Sequence, residues 1–370
     1  MSDTDAKRKV SRRKFLASSA AATAATATLA TPALAQSPGR TWKMATSWPK
    51  NAPGVGVNAQ RLADKITAMS NGELSVELYA AGELVPPFEV FDAVSSGTAQ
   101  MGHATPYYWQ GKDPSFHFFT GVPFGLLAHE HAAWVQFGGG QALWEKAYEP
   151  FGVLPFYAGS SGPQAGGWFT KELNSLDDFK GIKMRIAGLG GEVMRRIGVN
   201  TVLLPPGEIF PAMQSGAIDA AEWIGPWNDL AFGLYKVAKY YYMPAFHELG
   251  PALEMLVNRQ EFMDLPEHLQ AVVRNASMAT SYESLADFTF HNITSYKPLL
   301  EKEGVQVKFL PDDVVDALGI EAEVVLQELG DSSPLAGDIF KSFTEFRAEA
   351  NAYSSVSDKR ALGMRERVLK

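Results

Sequence analysis

Cysteine is absent from the 370 residues. Disulfides, thiol catalysis and Cys-based zinc sites are therefore excluded, and the apolar core must supply stability unaided. Signatures of common catalysis are missing too. There is no Gly-x-Ser-x-Gly elbow and no P-loop, and His129-Glu130-His131 is too closely spaced for a helical zinc pair, which takes histidines at i and i+4. The remaining histidines are scattered. Gly188-Leu189-Gly190-Gly191 follows a strand-like run, but Val193 stands where a dinucleotide fingerprint needs its third glycine. Beyond the first 35 residues no uninterrupted apolar run approaches the roughly 20 residues that span a bilayer. Positive charge is also in short supply: the formal net charge is −8, which argues against nucleic acid as a partner.

What is present begins with a leader. Lys7, Arg8, Lys9, Arg12, Arg13 and Lys14 precede an Ala/Thr stretch that ends Ala33-Leu34-Ala35, the basic, weakly apolar, small-x-small order of a secretory signal cleaved before Gln36. Ser11-Arg12-Arg13-Lys14-Phe15-Leu16 resembles the twin-arginine export motif, so residues 1–35 are expected to direct export to the periplasm. The competing reading is an N-terminal membrane anchor, for which the Ala/Thr run is weakly apolar. Removing residues 1–35 takes away six basic and two acidic side chains and moves the formal charge from −8 to −12. With 46% hydrophobic and 20% charged residues, a chain of this length is expected to form two core-bearing domains.

An internal repeat organises those domains. Leu84 to Ala104 (LVPPFEVFDAVSSGTAQMGHA) overlays Leu203 to Trp223 (LLPPGEIFPAMQSGAIDAAEW) without a gap, at an offset of 119 and with eight identities in 21 positions. Each copy reads as a Pro-Pro helix start, an apolar helical face, a glycine stop and a short strand. The fold class this predicts is α/β with two similar lobes. Ligands in such folds sit beyond the carboxyl ends of the strands, here His103-Ala104-Thr105 in one half and Glu222-Trp223 in the other, so a cleft between lobes is nominated. The pattern places 36–163 plus 252–305 in lobe I, 164–251 in lobe II and C-terminal helices over 306–370. Crossings near 160–168 and 249–254 form the hinge. Ile339, Phe343, Phe346, Ala350 and Tyr353 make a helix seam that serves either its own domain or a dimer.

Several residues could carry chemistry. Arg185, between apolar neighbours in IKMRI, needs a partner if buried, and either a ligand carboxylate or a structural salt bridge would serve. Glu222, followed by Trp223, Gly225, Pro226 and Trp227, would repel a carboxylate ligand unless neutralised. Oxygen donors from Glu222, Gln164, a backbone carbonyl and the ligand suit a hard ion, Na⁺ or Ca²⁺; the alternative is a direct Glu222–Arg185 pair. An enzyme, a lyase or hydrolase using Glu222 as general base, is the competing functional class. The Gly188–Gly191 segment is either an anion-holding helix start or a tight turn. Tyr107 follows the first repeat's strand end and is expected to wall the pocket.

The stretches WKMATSWPKNAPGVG, EVFDAVSSGTAQMGHATPYYW, SGPQAGGWF, SLDDFKGIKMRIAGLGGEV, PPGEIFPAMQSGAIDAAEWIGPWNDLAFGLYK and YYYMPAFHE resemble substrate-binding subunits of tripartite ATP-independent periplasmic (TRAP) transporters, in the branch for 2-oxo acids and lactate. The resemblance implies a two-lobed, type II-like periplasmic binding protein with hinge strands and a C-terminal helical extension. It implies that Arg185 grips the substrate carboxylate, and that Gln164, Glu222 and the Trp223 carbonyl hold a metal ion touching the substrate. It puts Glu248 in the same pocket, although here HELG stands where many relatives have proline after the glutamate. Implied partners are a small carboxylate, the membrane permease subunits and a second copy docked through the C-terminal helix.

Overall fold

A computed structural model describes residues 39–302 and 304–369. The leader and its twin-arginine motif lie outside the described residues.

The first lobe opens with β1 (Arg40–Thr46), α1 (Val55–Met69), β2 (Leu74–Tyr79), α2 (Val90–Ser95), β3 (Met101–Ala104), α3 (Ala128–Phe137), α4 (Gly140–Tyr148) and β4 (Val153–Ser160). The chain then crosses to β5 (Gly167–Phe169), β6 (Lys183–Arg185), α5 (Gly188–Arg196), β7 (Asn200–Val202), α6 (Pro206–Gln214), β8 (Ala220–Ala221), α7 (Pro226–Phe232) and β9 (Tyr240–Tyr242). It returns through β10 (Ala252–Asn258), followed by α8 (Arg259–Met263), α9 (Glu267–Leu300), β11 (Gln306–Lys308), α10 (Asp312–Asp331), α11 (Pro334–Val356) and α12 (Asp358–Val368). No helix among the described residues is long and apolar enough to cross a membrane.

Periodicity accounts for these elements. In α1 the buried residues Val55, Ala59, Leu62, Ala63 and Ile66 form one helical stripe, and Asn71 and Gly72, both at positive φ, terminate it. The two sheets share one plan. The first runs β2-β1-β3-β10-β4 and the second β11-β9-β5-β8-β6-β7. Read from β7, the second repeats the first strand for strand, with the same sequence of parallel and antiparallel pairings, and β11 extends its far edge. Residues 306–308, expected to belong to the C-terminal helices, thus pair in parallel with the tyrosines of β9.

The sequence repeat holds hydrogen bond for hydrogen bond. Glu89 N donates to Pro86 O at 2.9 Å and Glu208 N to Pro205 O at 2.9 Å; Gly97 N reaches Val94 O at 3.1 Å and Gly216 N reaches Met213 O at 3.1 Å. Gly97 and Gly216 turn the chain at φ 77° and 71°, a conformation that favours glycine.

Helix α9 ties the lobes together. It packs on β4 and α1 of the first lobe and on α7 of the second. Strand β4 is a sheet edge, and α9 satisfies its outward carbonyls: Ser277 Oγ donates to Tyr157 O at 2.8 Å and Ser284 Oγ to Ser160 O at 3.3 Å. Asn228 Nδ2 of α7 donates across to Pro53 O at 2.7 Å. The C-terminal seam divides: Ile339 and Phe343 are fully buried, Phe343 against Phe118 and Trp134, whereas Tyr353 is 71% exposed and α12 buries nothing.

Candidate functional site

Arg185 ends β6 and Glu222 directly follows β8, the strand beside it, so the sheet register sets the two side by side. Both are 1% exposed. Arg185 Nη1 donates to Glu222 Oε2 at 2.7 Å and to the Glu222 carbonyl at 2.8 Å, and Nε reaches Leu204 O at 3.3 Å. The direct pair weighed against a ligand contact is therefore present, yet it leaves Arg185 Nη2 and Glu222 Oε1 buried without a hydrogen-bond partner among the described residues. A buried polar atom left without a partner in this way costs roughly 1–3 kcal/mol.

The interlobe crossings bring in the rest. Gln164 N donates to Glu248 O at 3.1 Å and Ala245 N to Gln164 O at 2.8 Å, while Ala165 N reaches Ile224 O at 2.9 Å. These bonds bring Gln164 and Glu248 to the neighbouring pair Glu222-Trp223, from three separate stretches of sequence. Gln164 Nε2 is spent on Ser161 Oγ at 2.9 Å, leaving Oε1 unpartnered; both Glu248 carboxylate oxygens are likewise buried and unpartnered among the described residues. The Trp223 ring lies over the guanidinium, 5.7 Å from its central carbon. Tyr107 closes the site from the first lobe, in the turn Pro106–Trp109.

The glycine segment makes room for these side chains. Gly188 turns at φ 65°, and a Cβ there would lie 3.2 Å from the Tyr107 ring; a Cβ at Gly190 would lie 2.6 Å from the Cβ of His247. A narrow cavity of ≈ 20 Å³ runs between the lobes, lined by Trp48, Tyr107, Tyr108, Gln164, Trp223 and Leu253 among others. Roomier grooves exist elsewhere, including one of ≈ 750 Å³ beside β7 and α6. Of the residues with unpartnered buried atoms, Gln164 and Trp223 line the narrow cavity, and the Trp223 ring in turn covers the Arg185–Glu222 pair.

Electrostatics sharpen the point. Burial pushes the Glu222 carboxyl up to about 7 against the pull of Arg185, with Asp229 adding to the rise. Burial, then the charge of Glu222, holds Glu248 well above the usual carboxylate range. Two carboxylates thus compete for one guanidinium. The oxygen donors of Gln164, Glu222 and Glu248 fit a hard cation, whose charge would favour the ionised carboxylates that burial disfavours.

A family model for the bacterial extracellular solute-binding proteins, family 7 (DctP), matches residues 44–330. The chain belongs to that family. It is a family of extracytoplasmic binding proteins, not of enzymes, and the general-base alternative for Glu222 finds no support. A monocarboxylate 2-oxoacid-binding periplasmic protein of Nostoc is 40% identical over 321 residues, 87% of this chain and 88% of the relative. A TRAP solute-binding protein of Pseudoalteromonas atlantica, solved with bound sodium and pyruvate, superposes with a TM-score of 0.86 at 34% identity, covering 88% of this chain and 99% of that one. A Bordetella bronchiseptica counterpart, a dimer with copurified calcium and picolinate in one active site, gives a TM-score of 0.88 at 33% identity, covering 90% and 99%. These structures share the two-lobed fold with its C-terminal helices.

Within this solute-binding fold, Arg185, Gln164, Glu222, Trp223, Glu248 and Tyr107 meet in one cleft. Tyr240–Tyr242, in contrast, form β9, with Tyr241 stacked on Trp168 at 4.3 Å in the lobe core. Sequence reasoning passed over His247, whose ring can offer a ligand atom within 4.8 Å of atoms from Glu222 and Glu248. It also missed Asp229, which accepts from Trp168 Nε1 at 3.0 Å behind Glu222. Adjacency to Glu248 was the one signal for His247; its pairing with Gly190 has no sequence signature.

Proposed function

We propose that this chain is the capture subunit of a TRAP transporter and binds a small 2-oxo monocarboxylate of the pyruvate type, or its 2-hydroxy counterpart, together with Na⁺ or Ca²⁺. The observation that supports the reading is the gathering of Arg185, Gln164, Glu222 and Glu248, each with an unpartnered buried side-chain atom, where the two lobes meet. Arg185 receives the substrate carboxylate on Nη2, and on Nη1 as well when Glu222 turns its carboxylate toward the ion. Gln164 Oε1, Glu222 Oε1 and the Trp223 carbonyl hold the ion, Glu248 completes the acidic side, and Tyr107 closes over the ligand. When bound, the ion neutralises the acidic groups and ties the ligand to them. A divalent ion balances both carboxylates, Arg185 and one substrate carboxylate; a monovalent ion does so when one carboxyl keeps its proton. Both a sodium and a calcium complex are known among the similar structures.

Only the closed arrangement brings Tyr107 of one lobe against Gly188 of the other, so ligand shifts the population toward closure, and the closed form docks on the permease subunits. Twin-arginine export of residues 1–35, the lobe limits 36–163 plus 252–305 and 164–251, the C-terminal region 306–370, and a homodimer through the C-terminal helices complete the proposal. The dimer is supported by the exposed apolar side chains Tyr353, Val356, Leu362 and Met364 and by the dimeric Bordetella counterpart.

Pyruvate with sodium or calcium is expected to raise the melting temperature and leave the acid chemically unchanged. Chelation combined with replacement of sodium should remove the shift. A shift that survives both treatments would refute the ion, and turnover of pyruvate would refute the capture role.

A further inference from the structure

His103 sits near the carboxyl end of β3, fully buried, and has no place in the set assigned to the acid or the ion. Its Nδ1 accepts from Trp48 Nε1 at 2.8 Å. Burial pushes the imidazole down to about 3, so the ring is neutral near pH 7 and, with Nδ1 accepting, carries its one proton on Nε2. That proton meets no acceptor in Asn58. Nε2 faces Asn58 Nδ2 at 3.4 Å, and Asn58 Nδ2 already donates to Ala158 O at 3.0 Å, so donor meets donor. Asn58 Oδ1 is left buried without a partner among the described residues. An apolar side chain of similar size would fill this space without leaving polar atoms unmet. What it would not supply is an acceptor for the indole, and that is the one good hydrogen bond the imidazole makes among the described residues.

The indole is the wall this bond holds in place. Trp48 follows β1, and its backbone is fixed on both sides: N donates to Thr46 Oγ1 at 3.3 Å, and O accepts from Ala81 N at 2.9 Å. The ring can still turn about its side-chain bonds, and the bond to His103 removes that freedom. Tyr108 packs beside it, with ring centroids 5.9 Å apart and a tilt of 53°. Trp48 lines the narrow cavity of ≈ 20 Å³ together with Val55 and Leu253, and Gln164 and Trp223 share the same lining. On the capture reading Gln164 and Trp223 serve the ion, and the ion and Arg185 hold the acid's head. Trp48, Val55 and Leu253 remain for its tail. In a space with room for about one water, the position of one ring decides what tail fits.

We propose that Trp48 discriminates among captured acids by tail length, and that His103 is its positioning residue, holding the indole across the space a longer tail would need. The inference rests on the capture reading. Its scale follows from general chemistry, since one methylene too many or too few in an apolar pocket changes affinity by roughly 10- to 200-fold. An indole released from its acceptor can turn aside and concedes part of that discrimination.

The test compares pyruvate with 2-oxopentanoate, an acid with the same head and a longer tail, by calorimetry on the full mature chain in calcium. The ratio of the 2-oxopentanoate Kd to the pyruvate Kd reads the tail alone. In Trp48→Phe, a smaller ring without an N–H, that ratio should fall by roughly tenfold or more. In His103→Leu, which keeps the indole and removes its acceptor, it should fall by about threefold or more, and His103→Gln, which keeps an acceptor, should return it toward the wild-type value. An unchanged ratio in Trp48→Phe overturns the proposal, even if both affinities drop together, since that is what a ring that only packs the lobe would give. A ratio that falls in Trp48→Phe and stays put in His103→Leu overturns the positioning role. Wild-type protein supplies a readout independent of variant folding: 2-oxopentanoate should move the indole N–H resonance of Trp48 further than pyruvate does, and equal movement by both contradicts the assignment. Failure of wild type to bind either acid would instead bring down the capture reading itself.

Discussion

At the scale of single residues, charge burial decides most of what happens. Arg185 has five N–H donors in a rigid fork, and the structure uses Nε and Nη1 on the protein while keeping Nη2 in reserve. Arg185→Lys keeps the charge and loses the fork, so pyruvate affinity should weaken by about 1.5–3 kcal/mol, read as a 10- to 100-fold rise in Kd by calorimetry. Glu254 offers a second case, remote from the cleft. It accepts from Trp109 Nε1 at 2.6 Å and Tyr148 Oη at 2.9 Å, yet burial still pushes its carboxyl up from the usual 4.5 to about 8. The native state therefore binds more protons than the unfolded chain between those values. The stability this proton confers is complete below about 4.5 and is lost as pH rises through about 8. Glu254→Gln should flatten the decline in unfolding free energy between pH 5 and 8, measured by urea titration at a series of pH values, relative to wild type.

At the scale of elements, the repeat made α2 with β3 and α6 with β8 legible from the sequence, because proline starts, apolar spacing and glycine stops are all local chemistry. The pairing of Arg185 was legible for a related reason: a charge between apolar neighbours on a strand needs a partner, and the direct pair with Glu222 was one of the two expected. Less was legible where partners meet through tertiary contacts. His247 and Gly190 are 57 positions apart, and nothing in either neighbourhood announces that one ring fills the space of the other's missing side chain. Helix α5 turns that contact into a prediction. Gly190→Ala would force a Cβ onto His247 and should cost about 1–3 kcal/mol of stability along with ligand affinity. One position on, a Cβ at Gly191 would meet only ordinary contacts, the nearest at 3.4 Å to Ile186 O. Gly191→Ala should be neutral or stabilising by up to about 1 kcal/mol, through the helix preference of alanine. Denaturant midpoints of the two variants compared with wild type check both.

At the scale of the whole molecule, the C-terminal helices separate what holds the body from what reaches outward. Ile339 and Phe343 belong to the core, so a chain cut before Ile339 would lose packing along with any interface. A chain ending at Ser357 removes only α12, which buries nothing of its own. That truncation should keep the melting temperature within a few degrees while lowering the sedimentation mass from dimer toward monomer; an unchanged mass would show that α12 takes no part in association.

The common plan of the two sheets has a last implication. Register places Ala45 of β1 where Arg185 stands in β6, and His103 where Glu222 stands. The duplicated halves thus differ: the buried ion pair belongs to the second, while Trp48, Val55 and Tyr108 of the first line the narrow cavity. On the proposed capture role, guest size could be retuned by substitutions in the first half alone, leaving the Arg185–Glu222 pair of the second in place.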